Sequence, residues 1–159
     1  MLAGSPAAAE RFDHRGAVGL LLGGGLEWKE GVAFDSQTDI GLRIPIDVGA
    51  TYAIGYDGNE LMAFGRVSLL GARVDTSFAC GYRGYFGEDR FKTFFDLGLQ
   101  AHFTPRITAG ARVGMGVQYE LSPLIGTYTG LASQIGFGNG LRFDAELLVG
   151  IQLRSYLLE

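Results

Sequence analysis

Apolar and polar residues alternate with a period of two along most of the chain. In residues 107–121, every odd position from Ile107 to Leu121 is apolar. The even positions, such as Arg112 and Glu120, are glycine, polar or charged. Successive side chains of a β-strand point to opposite faces, whereas on a helix these residues would be scattered around the axis. The pattern therefore predicts a long strand with one apolar and one polar face.

The same alternation recurs in seven other segments. The predicted strands cover residues 16–28, 39–52, 61–73, 77–87, 92–103, 107–121, 126–137 and 144–154. The segments between them are short and turn-like; only 29–37 has any length, and Asn139-Gly140 is a dipeptide that favours tight antiparallel turns. Eight such strands predict an all-β fold, an eight-stranded antiparallel up-and-down barrel over residues 15–159 that follows a flexible segment 1–14. Pro45 lacks an N–H within the second strand, so we expect a bulge there.

Glycine indicates which face of the strands is inside. The chain has 26 glycines in 159 residues, against about 7% in average proteins, and many of them fall on the polar face. Glycine weakens a strand that faces solvent. The interior of an eight-stranded barrel, however, is just wide enough for side chains to fill, so glycines there make room for larger residues. On the same face these are Phe64, Tyr85, Phe94 and Tyr128, and the polar face is therefore predicted to line the lumen.

Aromatic residues on the apolar face lie near the ends of the strands, and the middles are mostly aliphatic or small. Membrane barrels carry such aromatic belts at both interfaces, with an aliphatic band between them. The predicted interface aromatics are Trp28, Tyr52, Phe78, Phe86, Phe103, Tyr119, Phe137 and Phe143. Together with the alternation, they predict strands that cross a lipid bilayer.

The alternation, the aromatic strand ends and the hairpin turns together resemble the small eight-stranded outer-membrane barrels, the OmpA/OmpX-like group, over residues 15–158. The resemblance implies an integral protein of the bacterial outer membrane with a lumen filled by side chains. It also allows a protein partner in the outer membrane or the periplasm. Inward charges must be paired or hydrated, so ten residues are predicted to form a lumen ion-pair network: Glu27, Arg43, Asp47, Arg66, Arg83, Asp96, Arg112, Glu120, Glu146 and Arg154.

Composition excludes several other classes. The net charge is −4 and no run of Lys and Arg marks a basic patch, so we expect no nucleic-acid partner. One cysteine, Cys80, cannot form an internal disulfide, and with two histidines it speaks against a structural zinc site. We therefore expect no metal and no cofactor. The first ten residues lack the basic start and apolar core of a signal peptide, so we expect an exported precursor to carry one.

Two alternatives remain open at this stage. A soluble, lipocalin-like barrel that binds an apolar ligand would carry its apolar face inside. A lipid-modifying outer-membrane enzyme would need a base such as His102 beside a nucleophile, and the sequence does not place Ser68 or Ser133 at the same height. We therefore predict no catalytic residues and a non-enzymatic role, either structural or anchoring at the membrane.

Overall fold

A computed structural model describes residues 17–33, 38–54, 59–69, 74–87, 90–104 and 106–156. The strands in these ranges are β1 (Ala17–Ala33), β2 (Thr38–Ile54), β3 (Asn59–Leu69), β4 (Asp75–Phe86), β5 (Phe91–Thr104), β6 (Thr108–Ser122), β7 (Ile125–Gly138) and β8 (Gly140–Tyr156). Each strand pairs antiparallel with the next, and β1 pairs with β8 to close the barrel. The predicted fold class is confirmed. No helix in the described part of the chain is long and apolar enough to span a membrane.

The register around the barrel is staggered by ten residues. A row of paired residues leaves β2 at Arg43 and returns to β2 ten residues later, at Ala53. The row runs through Arg43, Glu27, Glu146, Ala132, Gly114, Asp96, Arg83, Glu60 and Ala53. With a rise of about 3.3 Å per residue and a strand spacing of about 4.8 Å, this stagger tilts the strands by about 40° from the barrel axis.

The two faces of the sheet have opposite polarity. Large apolar side chains from all eight strands point outward and are exposed, as Leu42, Leu99 and Val149 illustrate. The inward side chains include eight acidic and eight basic residues that are buried within the described ranges. This is the reverse of a soluble barrel, whose apolar face forms the core. The soluble, ligand-binding alternative is therefore wrong about which face is inside.

Several strand ends differ from the sequence prediction. β1 continues to Ala33 and β2 begins at Thr38, so most of the predicted connection 29–37 is strand. β8 begins at Gly140, four residues early, and β3 is described as far as Leu69, so residues 70–73 of the predicted third strand lie outside the described residues. In β1 the outward, polar Glu30 interrupts the alternation, but the backbone pairing depends on the neighbouring strand and continues. In β8 the alternation itself continues back through Phe143 and Leu141. The predicted segment 1–14 lies outside the described residues.

The predicted bulge at Pro45 is wrong. The β1–β2 register is the same on both sides of the proline, and the β2–β3 pairing runs through Pro45 and Ser68 without a shift. Pairing with β1 lapses only at Gly25 and Leu26, where the proline supplies no N–H donor. The missing donor is thus accommodated by a local gap in one ladder. Register shifts occur instead beside Ser77 and Ser122.

Glycines make room for large rings inside the barrel, as the composition predicts. Four pairs of glycines face each other across neighbouring strands: Gly23–Gly150, Gly81–Gly98, Gly110–Gly136 and Gly116–Gly130. A β-carbon on either residue of the Gly23–Gly150 pair would overlap Tyr128, and one on Gly116 or Gly130 would press on Phe94. The missing side chains on the wall are therefore the space that these two rings occupy.

Candidate functional site

All ten charged residues predicted for the lumen are buried within it. Six further buried charged residues line the same lumen: Lys29, Glu60, Asp75, Lys92, Arg142 and Asp144. Four of these six lie outside the predicted strand bounds, since Lys29, Glu60, Asp75 and Arg142 occupy strand ends. The same alternation, continued past the last apolar residue of each strand, is the signal that finds them.

The upper end of the barrel is defined here as the end where β1 passes to β2, and the lower end as the end where Ala17 pairs with Tyr156. Fourteen of the sixteen buried charged residues, together with four buried polar neighbours, form three groups along this axis. The central cluster consists of Asp47, Arg66, Arg83, Asp96, Arg112 and Glu146. The upper cluster consists of Glu27, Lys29, Asp75, His102, Arg142 and Asp144. The lower cluster consists of Glu60, Tyr85, Gln118, Glu120, Gln152 and Arg154.

Arg66 organises one half of the central cluster. Its Nε and Nη2 donate to the two carboxylate oxygens of Asp47 at 2.6 and 2.8 Å, and its Nη1 donates to Glu146. Arg112 Nη2 donates to the other oxygen of Glu146 at 3.0 Å. Two-pronged arginine–carboxylate pairs are strong and fix geometry. These four residues come from β2, β3, β6 and β8 and tie opposite walls of the barrel together.

Arg83 organises the other half of the central cluster. Its Nε and Nη2 donate to Asp96 at 2.7 and 2.9 Å, and Arg112 Nη1 lies 3.8 Å from the same carboxylate. The guanidinium carbon of Arg83 lies 4.0 Å from the ring centroid of Phe94 and 5.1 Å from that of Tyr128. Stacking on aromatic faces suits a desolvated arginine. The structure thus brings together Arg83, Asp96 and Arg112, which the sequence placed on neighbouring strands.

Arg142 joins three carboxylates in the upper cluster. It donates to Asp144 at 2.7 Å, to Asp75 at 2.5 Å and to Glu27 at 3.1 Å. Lys29 Nζ lies 3.6 Å from Asp75. Arg43 is buried on β2 directly opposite Glu27 in the register. The upper end of the lumen is therefore closed by charged groups that hold one another.

Arg154 has the corresponding place in the lower cluster. It donates to Glu120 at 2.7 Å and to Glu60 at 3.1 Å. Gln152 Nε2 also donates to Glu60, at 2.8 Å, and the Tyr85 hydroxyl donates to Gln118 at 2.9 Å. These bonds link β3, β4, β6 and β8 across the lower end of the lumen.

The eight predicted interface aromatics all lie on the outer face and are exposed. On β5, Phe91 and Phe103 stand at opposite ends of the strand. At a rise of about 3.3 Å per residue and a tilt of about 40°, they are separated by about 30 Å along the axis, close to the ~25 Å apolar band of a membrane barrel. Phe78 lies further inside its strand, three residues after the start of β4.

Neither candidate nucleophile, Ser68 or Ser133, hydrogen-bonds to His102 in the described structure. Ser68 Oγ donates to Glu27 at 2.7 Å, and Ser133 lies on the outer face, away from the lumen in which His102 is buried. In the same part of the chain, no group of three or more His, Cys, Asp or Glu side chains is arranged to hold a metal ion. The arrangement can hold strands in place, because the charged groups of the lumen bind mainly to one another.

A closed eight-stranded barrel with charged side chains inside and an aliphatic, aromatic-edged surface outside defines the class of small transmembrane β-barrels. No family model and no curated protein matches the sequence. Among solved structures, the chain is similar to the N-terminal β-barrel domain of OprF from Pseudomonas aeruginosa, with a TM-score of 0.60 and 17% identity over 87% of this chain and 98% of that one.

Two more outer-membrane barrels have the same architecture. Neisserial surface protein A aligns with a TM-score of 0.57 and 13% identity over 87% of this chain and 99% of that one. Ail, the attachment invasion locus protein of Yersinia pestis, aligns with a TM-score of 0.55 and 11% identity over 89% and 99%. At these identities the likeness establishes the fold, which the chain shares over almost the whole length of these barrels.

Proposed function

We propose that this chain is an integral protein of the bacterial outer membrane with a structural or anchoring role and no catalytic activity. The observation that carries the proposal is the inverted polarity of the barrel, with eight acidic and eight basic side chains buried inside and aliphatic residues exposed outside. These outward apolar residues form a continuous belt around the barrel, called the apolar belt below. In water, the apolar belt would far exceed the few hundred Å² of contiguous apolar surface that soluble monomers expose. In a bilayer the apolar belt meets lipid, and closure leaves no unpaired strand edge.

The filled lumen supports an anchoring role over a channel. Ion-paired clusters cross the lumen at three levels, and the rings of Phe94 and Tyr128 pack between the central and lower clusters. The buried charges of the described residues balance, eight against eight. A balanced and filled interior offers neither a wide path nor a field of one sign that would select ions.

The position of His102 argues against a lipid-modifying enzyme. The ring is buried in the lumen, whereas the substrate of such an enzyme would reach the barrel from the lipid side. The described contacts of His102 are with Asp75, Gln100, Gln134 and Asp144, and no serine hydroxyl is among them. A structural or anchoring role, in contrast, requires no catalytic group and only a barrel that is stable in the membrane.

Membrane insertion is tested by a pair of leucine substitutions. Leu99 is 65% exposed in the middle of the apolar belt, and Leu124 is 50% exposed in the β6–β7 turn. We expect Leu99→Arg to prevent folding into vesicles because a lipid-facing arginine at mid-depth costs about 2–4 kcal/mol. Leu124→Arg should fold like the parent chain. Folding is scored by the different migration of boiled and unboiled samples in SDS.

A soluble protein would respond differently to both tests. It would stay dispersed without detergent, show no heat-dependent shift, and tolerate the two arginines equally, and that result would overturn the proposed membrane location. The anchoring role has a separate test in planar bilayers. We expect the inserted protein to show no steady conductance. Reproducible single-channel steps would show that the protein is a channel and would contradict the anchoring role.

A further inference from the structure

His102 is a buried ring at the upper end of the lumen with a carboxylate near each nitrogen. Its Nδ1 lies 3.3 Å from Asp75 Oδ1 on β4, and its Nε2 lies 3.4 Å from Asp144 Oδ2 on β8. Nε2 also lies 2.8 Å from Gln134 Oε1 on β7. The ring, on β5, thus reaches both its neighbour strand and the far side of the barrel.

The contacts at Nε2 are chemically incompatible with one another. Gln134 Oε1 and Asp144 Oδ2 are acceptors and require an N–H on this nitrogen. Gln100 Nε2, at 3.2 Å, is a donor and requires a lone pair there. A ring nitrogen carries one or the other. Only one of the two sets can therefore be bonded at a time, and the protonation of Nε2 decides which.

The side-chain amides of Gln100 and Gln134 each have one polar atom without a hydrogen bond. Gln100 Oε1 and Gln134 Nε2 are buried and have no hydrogen-bond partner within the described structure. These are the atoms that each amide would turn toward the ring in the opposite protonation state, because an amide exchanges a donor for an acceptor when it flips. The two amides are thus equipped for both states of the ring.

The surrounding groups come from every strand packed around the ring. β4 contributes Asp75 and Ser77, which accepts from Gln100 Nε2 at 3.0 Å. From β8 come Arg142 and Asp144, joined at 2.7 Å. The remaining neighbours are Glu27 and Lys29 of β1, which reach the cluster through Arg142 and Asp75, and Thr108 of β6, which pairs with His102 in the register.

We propose that His102 is a proton-binding switch inside the barrel. With a proton on Nε2, the ring donates to Gln134 and Asp144 and ties β5 across the lumen to β7 and β8. Without that proton, Nε2 accepts an N–H from Gln100 of its own strand, or from Gln134 once its amide has turned, and the bond across the lumen to Asp144 is lost. Nδ1 keeps its proton and its bond to Asp75 in both states. The proton is taken from water and returned to it.

The test uses the intact protein in detergent micelles or nanodiscs, with ¹⁵N in histidine and glutamine side chains. The chain has two histidines, and His14→Gln leaves His102 as the only imidazole signal. Spectra are recorded between pH 5 and pH 9, an interval that includes the pH 5–8 range in which unperturbed imidazoles change charge. We expect the side-chain amide signals of Gln100 and Gln134 to shift along the same titration curve as the His102 ring.

Two glutamines of the lower cluster serve as controls. Gln118 and Gln152 are buried lumen amides bonded to each other at 3.2 Å, far from His102, and their signals should not move with the ring. A ring that titrates while Gln100 and Gln134 stay fixed would overturn the switch, as would a ring that does not titrate. A common shift of all four amides would also overturn it, because the change would then belong to the whole barrel. In Asp144→Asn, the Gln134 signal should still follow the ring.

Discussion

The phenol oxygen of Tyr128 on β7 occupies the space in which a β-carbon of Gly23 on β1 would stand. The other nearest atoms to that point, Val149 O at 3.5 Å and Asp47 Cβ at 3.6 Å, are at ordinary contact distance. Tyr128 also lies against Gly150 and, on its other side, against the guanidinium of Arg83. One ring therefore links the glycine wall of the barrel to the central cluster.

Gly23→Ala is expected to destabilise the barrel by about 1–3 kcal/mol, the usual cost of overpacking a filled interior. In a Tyr128→Phe background most of this cost should disappear, because only the hydroxyl is in the way. A double-mutant cycle of urea unfolding in vesicles measures the coupling. Gly41→Ala is the matched control, since a β-carbon there meets no atom within 4 Å. An equal cost of Gly23→Ala in both backgrounds would contradict the contact.

Arg66→Ala is expected to destabilise the barrel by about 3–5 kcal/mol, since it leaves buried carboxylates without their main partner. Asp47 would lose both of its 2.6–2.8 Å bonds from Arg66, and Glu146 would keep only Arg112. Arg66→Lys should cause a smaller loss of stability than Arg66→Ala, because lysine keeps the positive charge but cannot make the two-pronged bond. The measurement is the urea midpoint of unfolding. Arg90→Ala, at an exposed turn, should have a much smaller effect, and equal effects would argue against Arg66 as an organising residue.

Cys80 offers a depth measurement without further engineering of the apolar belt. It is the only cysteine of the chain and is exposed on the outer face of β4. A nitroxide attached there should collide often with oxygen and rarely with a water-soluble nickel reagent. In a Cys80→Ala background, Asn139→Cys in the exposed β7–β8 turn should show the opposite preference. Equal access of the nickel reagent to both sites would be inconsistent with a position inside the bilayer.

Phe95 covers a glycine on the outer surface. Its ring fills the space where a β-carbon of Gly84 would lie, and it stacks 5.6 Å from Phe86. Phe95→Ala is expected to cost about 0.5–1.5 kcal/mol more than Phe103→Ala on the same strand, because it also breaks an aromatic pair. Unfolding midpoints of the two variants give the comparison. If the two losses match, the ring acts only through lipid contact.

The sequence could predict which side chains of each strand point inward, because this orientation depends on alternation within the strand and not on its alignment with the neighbouring strands. Arg83, Asp96 and Arg112 fall on the inward phase of three successive strands, and the structure brings them together. Partners across the lumen could not be predicted in this way. The bond from Arg66 on β3 to Glu146 on β8 depends on the ten-residue stagger and on side-chain reach, neither of which alternation encodes.

The strand ends were only partly predicted, and the His102 surroundings were beyond the pattern. Lys29 is followed by the outward, polar Glu30, so the periodic signal fades there before the backbone pairing does. Arg142 lies between the outward Leu141 and Phe143, where the alternation is intact and could have been followed further. His102 and Gln100 were on the inward phase in the sequence. Their link to Gln134 and Asp144 requires strands β7 and β8 to curve back toward β5, which only closure provides.

The pairing of β1 with β8 means that the barrel can close only when all eight strands are present. Ala17 pairs with Tyr156 at one end and Ala33 with Gly140 at the other, so the first and last strands are immediate neighbours. Neither strand can complete its backbone hydrogen bonds until the other is present, and an unpaired edge is very unfavourable in lipid. A chain without β8 is therefore not expected to be stable in the bilayer. β8, the last strand of the barrel in chain order, is therefore required before the barrel can close.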